Sequence, residues 1–473
     1  MKDFVLSIVD FLKMRKVSYG DVRSVGILTE QLTVKDGIVE NISITENRGM
    51  GIRVLVSGRW GFAAVSSMSV GDVEEAVIRA IKIATSLSTT GREVNLTDEE
   101  VYVDSYISEF QKDPFKVSQE DKIALLLSVD DALKGRRIRK RSSSLEFRDF
   151  RQIFANTEGS LIEQRFVDSG ASLRVVASNS KDVQERTFSS VLRKGYEHIE
   201  ELNLVKRAEK LVEEVDKLLY AHNCPEGEMD LILTPDHMIL QIHESIGHPL
   251  ELDRVLAFEA SYAGTSFASI DKLNNFQYGS EILNVYQDSM VRYGLGTFGY
   301  DDEGVKARKI ALIKDGILRG YLSSRESAFH IKSSSSGAAR AQDWSRIPIV
   351  RMTNVNLMPG DSSLEEMISS TKYGVLMETS KAWSIDDRRL NFQFGTELGY
   401  LIIDGKIKGM VKNPSYTGIT PIFWNNLLMV GNAKEFELNG LTGCSKGEPG
   451  QLMGVGHGSP PCKFQKVKVM PSR

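Results

Sequence analysis

The sequence predicts an α+β protein in two parts. Residues 1–222 read as an N-terminal α/β domain with a candidate internal repeat, and residues 229–473 as a C-terminal β-rich barrel or sandwich domain around a metal-binding helix. Three observations carry this. Helix-like and strand-like patterns alternate through the first half. From about residue 280 short apolar runs with Asp-Gly turns dominate, as at Asp315-Gly316 and Asp404-Gly405. Between them one apolar helix carries Gln241-Ile242-His243-Glu244-Ser245-Ile246-Gly247-His248-Pro249, an H-E-x-x-x-H.

Residues 1–17 have the apolar spacing of an amphipathic helix, and residues 21–66 read as strands with a hairpin at Asp36-Gly37. Asp72 to Ser86 reads as a helix with Asp72 as N-cap and Glu75 three residues on. A helix from Ser118 to about Lys134, strands from Ser144 to Leu192 and a charged helix from Ile199 to Leu219 complete this half. The two β regions echo one another. Asp36-Gly37 precedes Gly51-Ile52-Arg53-Val54-Leu55 much as Glu158-Gly159 precedes Ser172-Leu173-Arg174-Val175-Val176.

The polar stretch 221–228 is placed as the domain boundary. Met229 to Leu233 follows as a buried strand, and Thr234-Pro235 starts the motif helix as N-cap and first helical residue. Leu364 to Thr371 reads as a short helix.

Composition narrows the function classes. A chain of 473 residues exceeds one ordinary core. Hydrophobic content of 41% and charged content of 26% are those of a soluble globular protein. The net charge of -4 gives no support for nucleic-acid binding. No run reaches the length of a membrane span, and residues 1–16 lack a cleavable signal pattern, so no membrane and a cytoplasmic location are expected. Three cysteines, Cys224, Cys444 and Cys462, are too few for a disulfide framework.

The motif suits a hydrolytic zinc site: two neutral imidazoles bind the metal, and a neighbouring carboxylate takes a proton from water that the metal activates. Ile239, Ile242, His243 and Ile246 fall on one helical face, which turns His243 toward the core. A five-residue gap, however, sets the two histidines about 140° apart on an ideal helix. Either a π-bulge lies between them or the helix ends there. Gly247 and Pro249 favour an ending, with His248 at or just past it. Candidates for a third ligand are Cys444, Cys462, His457, Glu251 and Asp253, and spacing alone does not choose among them. Glu251 and Asp253 are also candidates to orient ligand imidazoles. Arg254 and Arg340 are candidate oxyanion stabilisers, and residues 332–337 a candidate gating loop, although a plain surface loop is the simpler reading. His198, His222, His237 and His330 read as structural.

Further motifs follow in a fixed order: Leu250-Glu251-x-Asp253, Asp301-Asp302-Glu303-Gly304, Met352-Thr353-Asn354, the late Cys444-x-Lys446 with Gly450-Gln451, and Val455-Gly456-x-Gly458-x-Pro460. With Gly51-Ile52-Arg53-Val54-Leu55 and Gly61-Phe62-Ala63, this series resembles the TldD/PmbA family over nearly the whole chain. The retained H-E-x-x-x-H resembles the TldD-type subunit. The resemblance implies a zinc metallopeptidase of unfolded or extended peptides, with Zn2+ on His243, His248 and Cys444 and Glu244 as general base. It also implies a PmbA/TldE-like paralogous partner; a homodimer is the alternative. In one departure from the family pattern, Ser445 stands where the family has Gly, and two extra residues precede Gly450-Gln451. His457 is the rival third ligand. The other classes of function are a catalytically silent scaffold subunit of such a heteromer and a zinc hydrolase of non-peptide amides.

Overall fold

The computed structural model describes residues 1–87, 93–262, 264–447 and 450–472. The chain opens with α1 (Lys2–Met14), whose Val5, Ile8, Val9 and Leu12 face the core. Strands β1 (Tyr19–Lys35) and β2 (Ile38–Val56) then form a long hairpin. Its Asp36-Gly37 turn has φ of 50° and 83°, the left-handed pair that matches strand twist in a two-residue turn. After β3 (Arg59–Val65) comes α2 (Val70–Ser86). This helix starts earlier than expected: Ser69, not Asp72, is its cap, and the Ser69 hydroxyl accepts from the Asp72 amide at 3.2 Å. Asp72 instead sits in the first turn, where its charge meets the positive end of the helix.

A short β4 (Val103–Ile107) leads to α3 (Gln119–Ala132), which begins where expected and has Ser118 as its cap. Three strands follow, β5 (Ile138–Asn156), β6 (Leu161–Ser178) and β7 (Val183–Leu192). The charged helix expected from residue 199 is divided into α4 (Glu197–Glu201) and α5 (Leu204–Leu218). Asn203, at φ 49°, breaks it; asparagine tolerates that conformation better than most residues.

All seven strands join one sheet in the order β3-β2-β1-β5-β6, with β4 and β7 both on β6. Apart from β4, which pairs parallel to β6, each half of the sheet is a helix and three antiparallel strands, closed by α2 in the first half and by α4 and α5 in the second. The halves meet where β1 runs antiparallel to β5, from Asp21↔Asn156 to Lys35↔Ser142. The candidate repeat thus corresponds to a repeated topology. Its two arginines differ in use: Arg53 is buried, whereas Arg174 pairs with Glu185 at the surface.

The remainder begins with β8 (His222–Asn223), β9 (Gly227–Leu233), α6 (Pro235–Ile242) and α7 (Leu252–Val255). Next come β10 (Val285–Asp288), β11 (Lys309–Lys314), β12 (Ile317–Leu318), α8 (Arg325–Phe329), β13 (Ala339–Arg340), β14 (Ile349–Val350), β15 (Val355–Leu357) and α9 (Leu364–Ser369). The chain ends with β16 (Tyr373–Ile385), β17 (Asn391–Ile403), β18 (Lys406–Lys412), β19 (Pro414–Ile419), α10 (Thr420–Asn425), β20 (Leu427–Val430), β21 (Glu437–Lys446), β22 (Gln451–Ser459) and β23 (Cys462–Pro471). Pairing of β16, β9, β23, β19 and β17, with β17 returning to β16, closes a five-stranded barrel. The fold is therefore α+β with a C-terminal barrel. Both expected Asp-Gly hairpins form, with φ of 51° and 74° at Asp315-Gly316 and 49° and 73° at Asp404-Gly405.

Met238, Ile242, Ile246 and Leu250 share one apolar cluster with Phe392, Phe394, Tyr416 and Phe464 of the barrel strands. The expected single apolar face of α6 is an understatement, because every residue from His237 to Leu250 is buried. A buried ion chain ties the N-terminal sheet to this region: Arg53 bonds Asp21 at 2.6 Å and Glu303 at 3.0 Å. Residues 332–337 are a surface loop only in their first half: Lys332, Ser333 and Ser334 are exposed, whereas Ser335 and Ser336 are buried and bonded to Ser323.

Candidate metal centre

The site grows out of α6. Pro235 occupies its first turn, and the Thr234 carbonyl accepts from the Met238 amide at 2.9 Å. At His243 the α-helix widens into a π turn, His243–Gly247, followed by a 3-10 turn, His248–Leu250. The π alternative therefore prevails over a helix ending. His248 keeps helical dihedrals, φ -60° and ψ -43°, despite Pro249 after it. Tertiary contacts hold the wide turn open. Tyr278 donates its hydroxyl to the Ser245 carbonyl at 2.5 Å, Ser245 donates its own to the Gln241 carbonyl at 2.5 Å, and Trp424 donates Nε1 to Ser245 Oγ at 2.9 Å. Gly247 is there for space: a Cβ would lie 2.0 Å from Met352 Sδ.

The π turn brings the two imidazoles onto one side, with ring centroids 4.7 Å apart and planes at 79°. Cys444, on β21, completes the group. One donor atom from each of His243, His248 and Cys444 lies within 4.8 Å of the others, and all three residues are buried. His248 Nε2 and Cys444 Sγ are 3.7 Å apart. Two ligands of a tetrahedral zinc, at ordinary Zn–N and Zn–S lengths, would stand about 3.6 Å apart.

Hydrogen bonds behind the rings set the tautomers. The Val355 carbonyl can only accept, so His457 donates Nδ1–H to it at 3.0 Å. Neutral His457 then accepts at Nε2 from His243 Nδ1, 2.9 Å away. This leaves the Nε2 lone pair of His243 free. Likewise His248 Nδ1 donates to Glu251 Oε2 at 2.9 Å, which frees its Nε2 toward Cys444. Burial holds the basicity of His243 and His248 below the usual imidazole range. His457 is pushed down to about 3 by burial and the adjacent His243. Neutral rings with aligned lone pairs are what a divalent cation requires. Burial alone would raise the Cys444 thiol, but His248 and Arg351 outweigh it and hold it below the usual value. Arg351 also donates Nη2 to the Cys444 carbonyl at 2.6 Å, which fixes the strand.

The other third-ligand candidates lie elsewhere. His457 sits behind His243 as an orienting partner. Cys462 points to the Pro460 carbonyl at 3.7 Å. Glu251 orients His248, whereas Asp253 accepts from buried Lys446 at 2.7 and 2.9 Å. Lys446 also donates to the Val350 carbonyl at 2.6 Å, so the lysine of the Cys-x-Lys motif pins the hairpin beside Cys444. Glu448 and Pro449, the extra residues of that loop, lie outside the described residues.

Glu244 is buried beside the cluster, with Oε2 paired to Arg389 Nη1. Arg389 is the functional candidate that the sequence reading missed. It sits in the β16–β17 turn at φ 61°, and the only signal was the charged run Asp386-Asp387-Arg388-Arg389 between two long strands. Neither expected oxyanion arginine has this place. Arg254 lies 3.7 Å from Glu251, and Arg340 donates to the Met352 and Gly454 carbonyls at 2.8 and 2.9 Å. His237 is structural, bridging Ser380 and Tyr416 at 2.9 Å each.

Comparisons with known proteins show which family the chain resembles. Three profiles match in sequence: PmbA/TldA metallopeptidase domain 1 over residues 20–84, the central domain over 112–219 and the C-terminal domain over 226–470. The chain is 32% identical to a metalloprotease of Methanocaldococcus jannaschii, over 93% of this chain and 94% of that one. It is 26% identical to a protein named zinc metalloprotease TldD homolog from Saccharolobus solfataricus, over 96% of both. TldE from Thermococcus kodakarensis shares the fold at a TM-score of 0.77 and 20% identity, over 98% of this chain and 99% of that one. With matching domains along its length and a relative this similar, the chain belongs to the PmbA/TldD metallopeptidase family.

Proposed function

We propose that this protein is a zinc-dependent metallopeptidase that cleaves unfolded or extended peptides. The observation that carries the reading is the convergence of three buried soft or borderline donors, His243 Nε2, His248 Nε2 and Cys444 Sγ, with both imidazoles held as neutral tautomers from behind. These residues fit zinc, and the name of one relative, from Saccharolobus solfataricus, supports that metal. When bound there, zinc would supply Lewis acidity toward a peptide carbonyl and activate water.

The chain's own residues do the rest. Glu244 follows the first ligand directly and is the general base. Its pair with Arg389 engages Oε2 and leaves Oε1 to take a proton from water and pass it to the leaving amine. Arg389 fixes the carboxylate's orientation. His243, Glu244, His248 and Cys444 are themselves buried, and exclusion of bulk water strengthens each charge interaction among them. An extended substrate paired by its main chain to a sheet edge would be taken with broad sequence tolerance. A PmbA/TldE-like subunit is the inferred partner, and the shared fold with TldE supports it. Among the described residues no helix is long and apolar enough to cross a membrane.

The test is metal content and cleavage of an unstructured peptide, read in the same samples with and without a PmbA-like subunit. Wild type is expected to hold about one zinc per chain, His243→Ala and Cys444→Ala to lose it, and Glu244→Gln to keep it while losing cleavage by at least about 100-fold. Zinc without cleavage under every condition would favour the scaffold reading, and cleavage retained by Glu244→Gln would remove the general-base role.

A further inference from the structure

A second, smaller site lies where the N-terminal sheet meets the β21–β22 hairpin. A cavity of about 100 Å³ opens there between Arg148, Arg193, Arg340, Asp168, Leu295 and Gly454. Its charges are unevenly satisfied. Arg193 pairs with Asp168 at 2.8 Å. Arg340, only 8% exposed, donates Nη1 to the Met352 and Gly454 carbonyls, and no carboxylate pairs with it among the described residues. The Arg148 guanidinium has neither a hydrogen bond nor an ion pair among the described residues; the Phe150 ring lies 5.7 Å from it, and the carboxylates of Asp168, Glu146 and Asp343 act on it only through charge at longer range. Glu146 also lines the cavity, but it is exposed and accepts from Gln31 at 3.0 Å. Burial disfavours the charge on Arg340 and on Arg148, and the neighbouring Arg193 adds to both penalties, while Asp302 offsets part of it at Arg340 and Asp168 part of it at Arg148. Three guanidiniums around one small cavity, of which only Arg193 is in an ion pair, suit an anionic group.

We propose that this cavity binds a carboxylate of the peptide substrate, held between Arg148 and Arg340. The proposal rests on the peptidase reading. Carboxylate is favoured over phosphate because the cavity is small and already has Asp168 and Glu146 on its wall, which repel a dianion more strongly. Its position also fits. Gly454, whose carbonyl holds Arg340, is three residues before His457 on β22, a span of roughly 10 Å of extended strand. Met352, whose carbonyl also holds Arg340, packs its sulfur against Gly247 between the two histidines. A carboxylate roughly three residues from the bond to be cut would reach it.

Equilibrium binding to the full, metal-free chain tests this, with labelled unstructured peptides read by fluorescence anisotropy. One peptide carries free glutamates and a free C-terminus, a second is amidated at the C-terminus, and a third has glutamine for each glutamate. At least one of the two neutralised peptides is expected to bind about tenfold more weakly. Loss on amidation identifies the terminal carboxylate, and loss on glutamine exchange identifies a side chain. Arg148→Gln, which breaks no bond seen in the structure, is expected to abolish the preference and leave binding of the neutralised peptide unchanged. Arg340→Lys keeps the charge and loses the fork, and should weaken only the carboxylate peptide. Equal binding of all three peptides, or a preference that survives in Arg148→Gln, would overturn the proposal. Because no metal is present, failure here is separate from failure of metal-dependent cleavage, which bears on the peptidase reading itself.

Discussion

His457 Nε2 lies 2.9 Å from His243 Nδ1, and the far nitrogen of His457 is held by the Val355 carbonyl. This relay fixes which ring nitrogen of His243 carries a free lone pair. It also explains why a histidine 214 residues away in sequence belongs to the site without being placed to hold the metal.

His457→Ala removes the relay and leaves the ligand atoms in place. Zinc is expected to bind still, about 10–100-fold more weakly, because His243 loses the partner that sets its tautomer. Competition against a chromophoric chelator measures this. Unchanged affinity would show that the relay is incidental, and complete loss of metal would make His457 a ligand after all.

Gly247→Ala should destabilise the fold by about 1–3 kcal/mol, because the new methyl meets Met352 Sδ, 2.0 Å from its ideal position. Chemical denaturation reads the cost. In a Met352→Ala background, where that sulfur is gone, the same glycine change should cost less than it does in wild type. If the single variant is as stable as wild type, the close approach does not select glycine here.

His198 is held down to about 4 by burial, against a usual value of 6.5. The unfolded chain therefore binds a proton at this residue between those values while the folded chain does not, so stability is present above 6.5 and is lost as pH falls toward 4. Glu378 and Glu397, raised to about 7 by burial, act in the opposite direction over part of that range. A difference measurement isolates the histidine. In His198→Gln the fall of unfolding free energy from pH 6.5 to 4 should be shallower than in wild type, by at most about 1.4 kcal/mol per pH unit. Parallel curves would show that His198 titrates normally.

The sequence by itself determined what local chemistry controls. The Asp-Gly turns at 36–37, 315–316 and 404–405 sit where the residues allow left-handed φ, and Ser118 caps its helix, because these choices depend on a few neighbouring atoms. The motif helix and the histidines flanking Glu244 were legible for the same reason. Tertiary structure decided the rest. Gly247 and Pro249 read locally as a helix end, yet Tyr278, Trp424 and Met352 pack the segment into a π turn that places His248 beside His243. Asp72 resembles a cap, but Ser69 takes that role. Cys444 reaches the cluster from 196 residues away, and Arg389 reaches Glu244 from 145. No periodicity encodes such pairings, because they exist only once the barrel has closed and brought its strands against the helix.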